Sequence, residues 1–281
     1  MKDQAELLRR LMAPPDPAPA ASGARVPVLV VGGGKGGVGK SVVAIHLARA
    51  YAEHRRVLLL DGDQNLGTLH IMLGVRPAGR LEDVLSGGDP EALLTPVGDR
   101  LWLLPADSGA EALYALGPTD GARLHRRLCT LYDRFDCVVA DGGSGLDSVV
   151  RVAGMGATSL VVVTVPEPAA LADAYALIKI ARIQVPNLAV HVLVNHVAGD
   201  DEARAAYDRL ASACMRFLGR PAGYLGWIPE DDLLRRVTRA GPDADALSDD
   251  GPAARALRQA AFRLIPEGLA APGRESVTVT E

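Results

Sequence analysis

Aromatic side chains are scarce in this sequence: they make up 4% of 281 residues, although 48% of the residues are hydrophobic. A core with few aromatic rings must be built from Val, Leu, Ile and Ala, which is typical of a parallel sheet buried on both faces. Long apolar runs are also missing, since no stretch of about 18 apolar residues occurs. The N-terminal residues MKDQAELLRRLM lack the apolar core and cleavage site of a secretory signal. We therefore expect a cytoplasmic protein without a membrane-spanning helix.

Cysteine is scarce as well, and the chain has no excess of positive charge. Cys129, Cys137 and Cys214 lie far apart with no CxxC pair, and the six histidines have no metal-ligand spacing, so we interpret both as structural. The net charge of −4 gives no global basic field, and no motif that reads DNA or RNA occurs. A zinc site, a disulfide framework and a nucleic-acid partner are therefore not expected.

From residue 26 onward, short apolar runs alternate with helical patterns. Strands are predicted at 26–33, 56–63, 101–106, 137–143, 159–167, 188–196 and 222–228. Helices are predicted at 40–53, 121–134, 168–183, 200–218 and 252–265. Continuous Val- and Leu-rich strands separated by helices predict right-handed βαβ units, and hence an α/β fold with a parallel sheet flanked by helices.

Four segments follow from this pattern. Residues 1–12 are predicted to form a short amphipathic helix, which either frays or docks on a partner, and 13–25 are predicted to be a Pro- and Ala-rich linker. The α/β domain extends over 26–267, and 268–281 is a disordered tail.

The run GKGGVGKS fits the phosphate-binding pattern G-x-x-x-x-G-K-[ST] and lies between a predicted strand and a predicted helix, as the motif requires. Glycines let backbone N–H groups close around phosphates, the lysine of the GK pair reaches the β- and γ-phosphates, and the final hydroxyl ligates Mg²⁺. The sequence therefore predicts a P-loop ATPase with ATP and Mg²⁺ as cofactors. The predicted nucleotide-binding residues here are Gly34, Lys35, Gly36, Gly37, Val38, Gly39, Lys40 and Ser41, with Ser41 as a metal ligand.

Lys35, at the second position of the loop, resembles the deviant Walker A motif KGGxGK[ST] of the MinD/ParA family, which is a P-loop NTPase family of the MinD/SIMIBI type. The resemblance implies a homodimer in the ATP state, in which Lys35 crosses the interface and contacts the nucleotide of the other copy. Such a cation neutralises transition-state charge only when two loaded copies meet. Lys35 and Lys40 are therefore expected to take part in catalysis.

Carboxylates end two of the predicted strands. Asp63 resembles the switch I aspartate of the family, which orients the attacking water, and Asp61 its partner near Mg²⁺. Asp141 closes an apolar strand in a D-x-x-x-G pattern that resembles Walker B and switch II, which implies a Mg²⁺ role; by itself it could also cap the next helix. Two positions depart from the family pattern: Thr68 replaces an asparagine, and Gly142 replaces a threonine.

Asn195, at the end of the strand LAVHVLVN, resembles the family asparagine that contacts adenine. The segment at 225–236, LGWIPEDDLLRR, resembles the loop that closes over the base, although its acids and later arginines also suit a helix dipole.

The segment at 162–179, VVTVPEPAALADAYALIK, resembles the PEPTSLTDAYALIK stretch of the FlhG (FleN/YlxH) group within this family. The leader also partly fits the DQAxxLR arm of that group, through Asp3, Gln4, Ala5, Leu7, Leu8 and Arg9. The resemblance implies a slow, dimer-activated ATP hydrolase that regulates flagellar number and placement. The resemblance also implies that the N-terminal arm stimulates FlhF, an SRP-type GTPase. A flagellar C-ring protein or a transcription factor is the further partner that it implies.

The end of the chain departs from this group, whose members grip the membrane through a C-terminal amphipathic helix. The helix at 252–265 has small residues on its apolar stripe, which suits packing on the domain. Peripheral contact with the inner face of the cell membrane therefore stays open. Two alternatives remain: a ParA- or MinD-type partitioning or polar-positioning ATPase, and a regulator that holds ATP without turnover and sequesters a transcription factor.

Overall fold

The computed structural model describes residues 26–63, 67–106, 118–143, 145–146, 149, 152, 156–231 and 251–264. The strands are β1 (Val28–Gly32), β2 (Val57–Asp61), β3 (Thr95–Gly98), β4 (Leu101–Leu104), β5 (Cys137–Asp141), β6 (Ser159–Thr164), β7 (Ala189–Val197) and β8 (Gly223–Pro229). The helices are α1 (Lys40–Ala52), α2 (Leu69–Met72), α3 (Leu81–Leu85), α4 (Pro118–Tyr132), α5 (Pro168–Gln184), α6 (Asp200–Leu218) and α7 (Pro252–Leu264). The leader, the linker and the tail, which the sequence predicted, lie outside the described residues.

The eight strands form one sheet in the order β3-β4-β2-β5-β1-β6-β7-β8. Neighbouring strands run parallel, except that β3 pairs antiparallel with β4 at one edge. The parallel α/β sheet that the sequence predicted is confirmed, but β3 was not predicted. Its sequence is TPVG, whose proline and glycine are depleted in strands and are tolerated at a sheet edge.

The sheet is buried on both faces because its strands alternate between two apolar layers. Val30, Leu58 and Val138 belong to the layer covered by α3, α4, α5 and α6. Leu29 and Leu59 belong to the layer covered by α1 and α7. Within α7, Leu257 and Ala261 of the stripe that the sequence indicated as suited to packing are buried in this second layer, and Leu264 packs against it partly buried. No helix among the described residues is long and apolar enough to cross a membrane.

The carboxyl ends of the central strands meet at one edge of the sheet, where α/β proteins bind ligands. The last residue of β2, Asp61, lies in register with Asp141, the last residue of β5, and Val31 of β1 pairs with Asp141 on the other side. The strand β6 ends at Thr164, earlier than predicted, because Pro166 follows and Pro168 begins α5. This edge carries the candidate site.

Candidate nucleotide-binding site

The phosphate loop joins β1 to α1 and depends on glycine at particular points. Gly37 and Gly39 have φ values of 79° and 95°, in the left-handed region that side chains rarely adopt. Gly34 lies against helix α5, since a Cβ there would be 2.5 Å from the backbone of Asp173. Gly39 is the N-cap of α1, so the loop leads directly to a helix N-terminus, where backbone N–H groups attract anions.

The two lysines of the loop lie in different environments. Lys40 is 7% exposed and donates from Nζ to the carbonyl of Lys35 at 3.1 Å. Burial lowers the pKa of Lys40, while the charges of Asp141 and Asp63 act in the opposite direction. Lys35 is half-exposed and its Nζ lies 2.9 Å from Oε2 of Glu167, a contact that raises the pKa of Lys35. Lys40 is therefore built into the loop, whereas Lys35 stands at its outer rim.

Asp61 and Asp141 are two buried carboxylates at adjacent strand ends. Asp61 accepts hydrogen bonds from the backbone N–H groups of Asp63 and Leu69, each at 3.1 Å. Asp141 accepts one from the Ser41 hydroxyl and one from a backbone N–H. Burial is the main cause that raises the pKa of each carboxyl, and the charge of Asp141 adds to the shift of Asp61. A cation in this site would be stabilised by the negative charges of both carboxylates.

Asp63 follows β2 and is half-buried, directly beside the switch II backbone. Gly143 has a φ of 70°, and a Cβ there would lie 2.8 Å from both Cα and Cγ of Asp63. The segments that follow β2 and β5 therefore touch at this point. Gly142 stands where the family pattern has threonine, and the structure gives a physical reason. A Cβ at this position would be 3.1 Å from the Val31 carbonyl and 3.2 Å from Val149, so a larger side chain has little room. Thr68, the other departure, is the N-cap residue of α2 and makes no capping hydrogen bond through its side chain.

Asn195 is buried at the end of β7 and lines the cavity beside the loop. Its Nδ2 donates to the carbonyl of Val38 at 2.9 Å, and its Oδ1 accepts from the backbone N–H of His196 at 2.9 Å. Asn195 thus ties the phosphate loop to β7. Its contact with adenine stays a prediction.

A cavity of about 650 Å³ opens over the loop. Its lining combines the loop with the carboxyl ends of β6, β7 and β8, including His196 and Pro229, and with Met72 of α2. The sequence indicated all six histidines, His196 among them, as structural, and it did not single out Met72. The position of His196 at the end of a predicted strand could have indicated it, and no sequence signal marks Met72.

The residues present fit a nucleotide with Mg²⁺. The loop provides a glycine cradle at a helix N-terminus, and Ser41 and Asp141 already contact each other beside it. No cluster of three or more His, Cys, Asp or Glu side chains able to hold a metal occurs among the described residues. This suits Mg²⁺, which is usually held by one or two protein oxygens together with phosphates and waters rather than by a protein cage. The leader residues predicted to bind a partner lie outside the described residues.

Residues 29–241 match the family model described as the CobQ/CobB/MinD/ParA nucleotide binding domain. The chain belongs to this family, because the match covers well over half of it. It is 36% identical over 219 residues to the antiactivator FleN of Pseudomonas aeruginosa, covering 76% of this chain and 77% of that protein. It is 30% identical over 214 residues to the flagellum site-determining protein YlxH of Helicobacter pylori, covering 75% and 72%. The resemblance to the FlhG (FleN/YlxH) group is confirmed.

Solved structures agree with the fold. The cell division ATPase MinD of Pyrococcus furiosus superimposes with a TM-score of 0.69 at 26% identity, covering 85% of this chain and 98% of that one. MinD of Pyrococcus horikoshii, complexed with Mg-ADP, gives 0.69 at 24% identity, covering 85% and 96%. The predictions of a MinD-type P-loop fold and of an ATP-hydrolysing enzyme of this family are confirmed. As a member of this family, the chain contains a nucleotide binding domain.

Proposed function

We propose that this chain is an ATP-dependent dimerising switch of the FlhG type that regulates flagellar number or placement. The observation that carries the proposal is the pair of loop lysines. Lys40 is buried within its own loop, whereas Lys35 is half-exposed at the rim, where a second copy can be reached. A cation at the rim stabilises the phosphate charge of the nucleotide that is bound to the other copy, so hydrolysis depends on dimerisation.

In this proposal each polar group of the site has a separate task. Lys40 and the backbone N–H groups of the loop hold the phosphates of ATP. Ser41, Asp141 and Asp61 hold Mg²⁺, which neutralises phosphate charge when bound. Asp63 orients the attacking water, and its contact with Gly143 couples the two switch segments. Asn195 fixes the loop against β7. Hydrolysis then returns the dimer to monomers.

The flagellar role rests on the relatives. FleN is named an antiactivator, and YlxH is named a flagellum site-determining protein. A leader resembling the FlhG arm supports an SRP-type GTPase of the FlhF kind as partner, with Asp3, Gln4 and Leu7 among the contacting residues. The antiactivator name of FleN supports a transcription factor as a further partner, and the FlhG resemblance implies a C-ring protein as the alternative.

Turnover measured against protein concentration tests the switch. The rate per subunit should rise with concentration and then level off, because only dimers are active. Lys35→Ala should remain at the low, flat baseline, roughly tenfold or more below the plateau, since a charge-stabilising group is lost. Lys40→Ala, as a matched control, should lose nucleotide binding itself. A wild-type rate that is flat from dilute to concentrated protein would contradict dimer activation.

A pull-down tests the partner. The full chain with ATP and Mg²⁺ should retain FlhF, and a chain lacking residues 1–25 should not, while both should still dimerise. Retention by both chains would place the partner contact on the ATPase domain instead. If Asp63→Ala, which the proposal expects to bind ATP without turnover, still bound a transcription-factor partner and restored flagellar number, a regulator without turnover would be favoured.

A further inference from the structure

The three cysteines, which the sequence indicated as structural, lie in different environments. Cys137 in β5 and Cys214 in α6 are buried in the two apolar layers, and burial raises the pKa of each thiol, to about 12 at Cys137. Cys129 in α4 is half-buried instead. The thiolate is the reactive form of cysteine, and burial in apolar surroundings keeps a thiol protonated and inert. Cys129 is therefore the cysteine that a reagent in solution reaches.

An imidazole lies directly beside the Cys129 thiol. His125 is one helical turn earlier on α4, and its Nε2 is 3.5 Å from Sγ of Cys129. The ring also lies against the turn before β6, since a Cβ at Gly156 would be 3.5 Å from its Cε1. A thiol with an imidazole at this distance has the arrangement of a cysteine nucleophile and its base.

A buried hydroxyl lies on the next turn of the same helix. Tyr132 is 4% exposed, and its hydroxyl has no hydrogen-bond partner among the residues that the structure describes. Burial raises the pKa of Tyr132, and a negative charge at Cys129 raises it further, so the two groups are close enough for their charges to interact. The hydroxyl therefore stays protonated and keeps an unused donor near the sulfur. A donor of this kind favours the thiolate.

We propose that Cys129 is a nucleophilic thiol that forms a mixed disulfide with a low-molecular-weight disulfide, and that His125 is its base. The imidazole accepts the thiol proton, and the thiolate attacks one sulfur of the small disulfide. A bond forms between Sγ and that sulfur, the original S–S bond breaks, and the other half leaves as a thiolate with the bonding electrons. The imidazolium then returns the proton to this leaving group. Cys129 is oxidised, and half of the small disulfide is reduced to a thiol.

Reaction of the full chain with glutathione disulfide at pH 7 tests the proposal. Mass spectrometry of proteolytic peptides gives the rate at each cysteine, and the same reaction of the urea-unfolded chain gives the rate of each thiol without the fold. The variants are His125→Asn, which removes the base, and Tyr132→Phe, which removes the unpaired hydroxyl. His54→Asn is the matched control, because His54 is an exposed histidine beyond the end of α1.

We expect Cys129 of the folded wild type to react about threefold or more faster than in the unfolded chain, because the imidazole increases its thiolate fraction. Cys137 and Cys214 should stay unmodified in the folded protein. His125→Asn should remove the acceleration without changing the rate of the unfolded chain, Tyr132→Phe should reduce it by a smaller factor, and the control should match the wild type.

Two results would overturn the assignment: a folded wild type in which Cys129 reacts no faster than in the unfolded chain, or a folded His125→Asn that reacts as fast as the wild type. The first comparison uses the wild type alone, so it decides the matter even where a variant fails to fold. A Tyr132→Phe rate equal to that of the wild type would remove the hydroxyl from the site.

Discussion

Lys35 and Glu167 form an ion pair across the rim of the phosphate loop, with Nζ 2.9 Å from Oε2. Glu167 is the N-cap of α5, directly before the helix that carries the DAYALIK segment. In the proposed dimer, Lys35 must turn from this intrachain partner toward the nucleotide of the other copy. The contact therefore holds Lys35 in its own subunit and opposes association.

The first prediction concerns this contact. Glu167→Gln should shift dimerisation to a protein concentration lower by about two- to fivefold, a modest effect because exposed ion pairs are weak. Light scattering with a non-hydrolysable ATP analogue and Mg²⁺ measures the shift. Weaker dimerisation of the variant would instead show that Glu167 acts across the interface.

The second prediction concerns packing of the loop. Gly34→Ala should lower the free energy of unfolding by about 2–3 kcal/mol, because the new methyl group meets the Asp173 backbone, which cannot give way as a flexible side chain would. Gly36→Ala is the control: a Cβ there meets nothing within 4 Å, and the residue has no positive φ. Urea unfolding without nucleotide compares the two. Equal stability would contradict the close approach of loop and α5.

The third prediction separates turnover from binding. Gly143→Ala should displace Asp63 and reduce turnover by roughly tenfold or more, since misplacement of a catalytic group by even an ångström is costly. Nucleotide affinity should change little, because Gly143 does not line the cavity. Gly219→Ala carries the same positive-φ penalty at the end of α6, where a Cβ meets nothing within 4 Å. A variant at Gly143 with normal turnover would contradict the coupling of the switch segments.

The fourth prediction is a pH effect on stability. His46 is buried in α1, and its Nε2 has no hydrogen-bond partner among the residues that the structure describes. Burial and the nearby Arg49 lower the pKa of His46 from 6.5 to about 4, with Arg258 adding to the shift and Asp231 opposing it. Between pH 6.5 and 4, the imidazole of His46 becomes protonated in the unfolded chain but stays neutral in the folded chain. Stability present above pH 6.5 should therefore fall as the pH drops toward 4, by about 1 kcal/mol per unit from this residue.

His46→Leu removes the titrating group and the unpaired nitrogen at similar volume. Urea unfolding of this variant at pH 7, 6 and 5 should give a shallower loss of stability than the wild type, with no loss at pH 7. An identical slope for both proteins would show that other groups govern the acid transition.

The sequence by itself determined the features that depend on local order along the chain. The phosphate loop, the strand before it and the helix after it are contiguous residues, and so are the strands that end in Asp61 and Asp141. Alternating apolar runs and helical patterns determined the parallel sheet, because those periodicities reflect which faces are buried. The DAYALIK segment likewise indicated the FlhG group without any structure.

Tertiary structure decided the contacts between residues far apart in the chain. Lys35 contacts Glu167, 132 positions away in the chain, and Asn195 contacts Val38, 157 positions away. These contacts form because β6 pairs with β1 and β7 pairs with β6 in the sheet. The left-handed backbone of His196 follows from a mismatch between two strands, which no single strand contains. Strand pairing and close packing are properties of the assembled sheet, so local pattern cannot supply them.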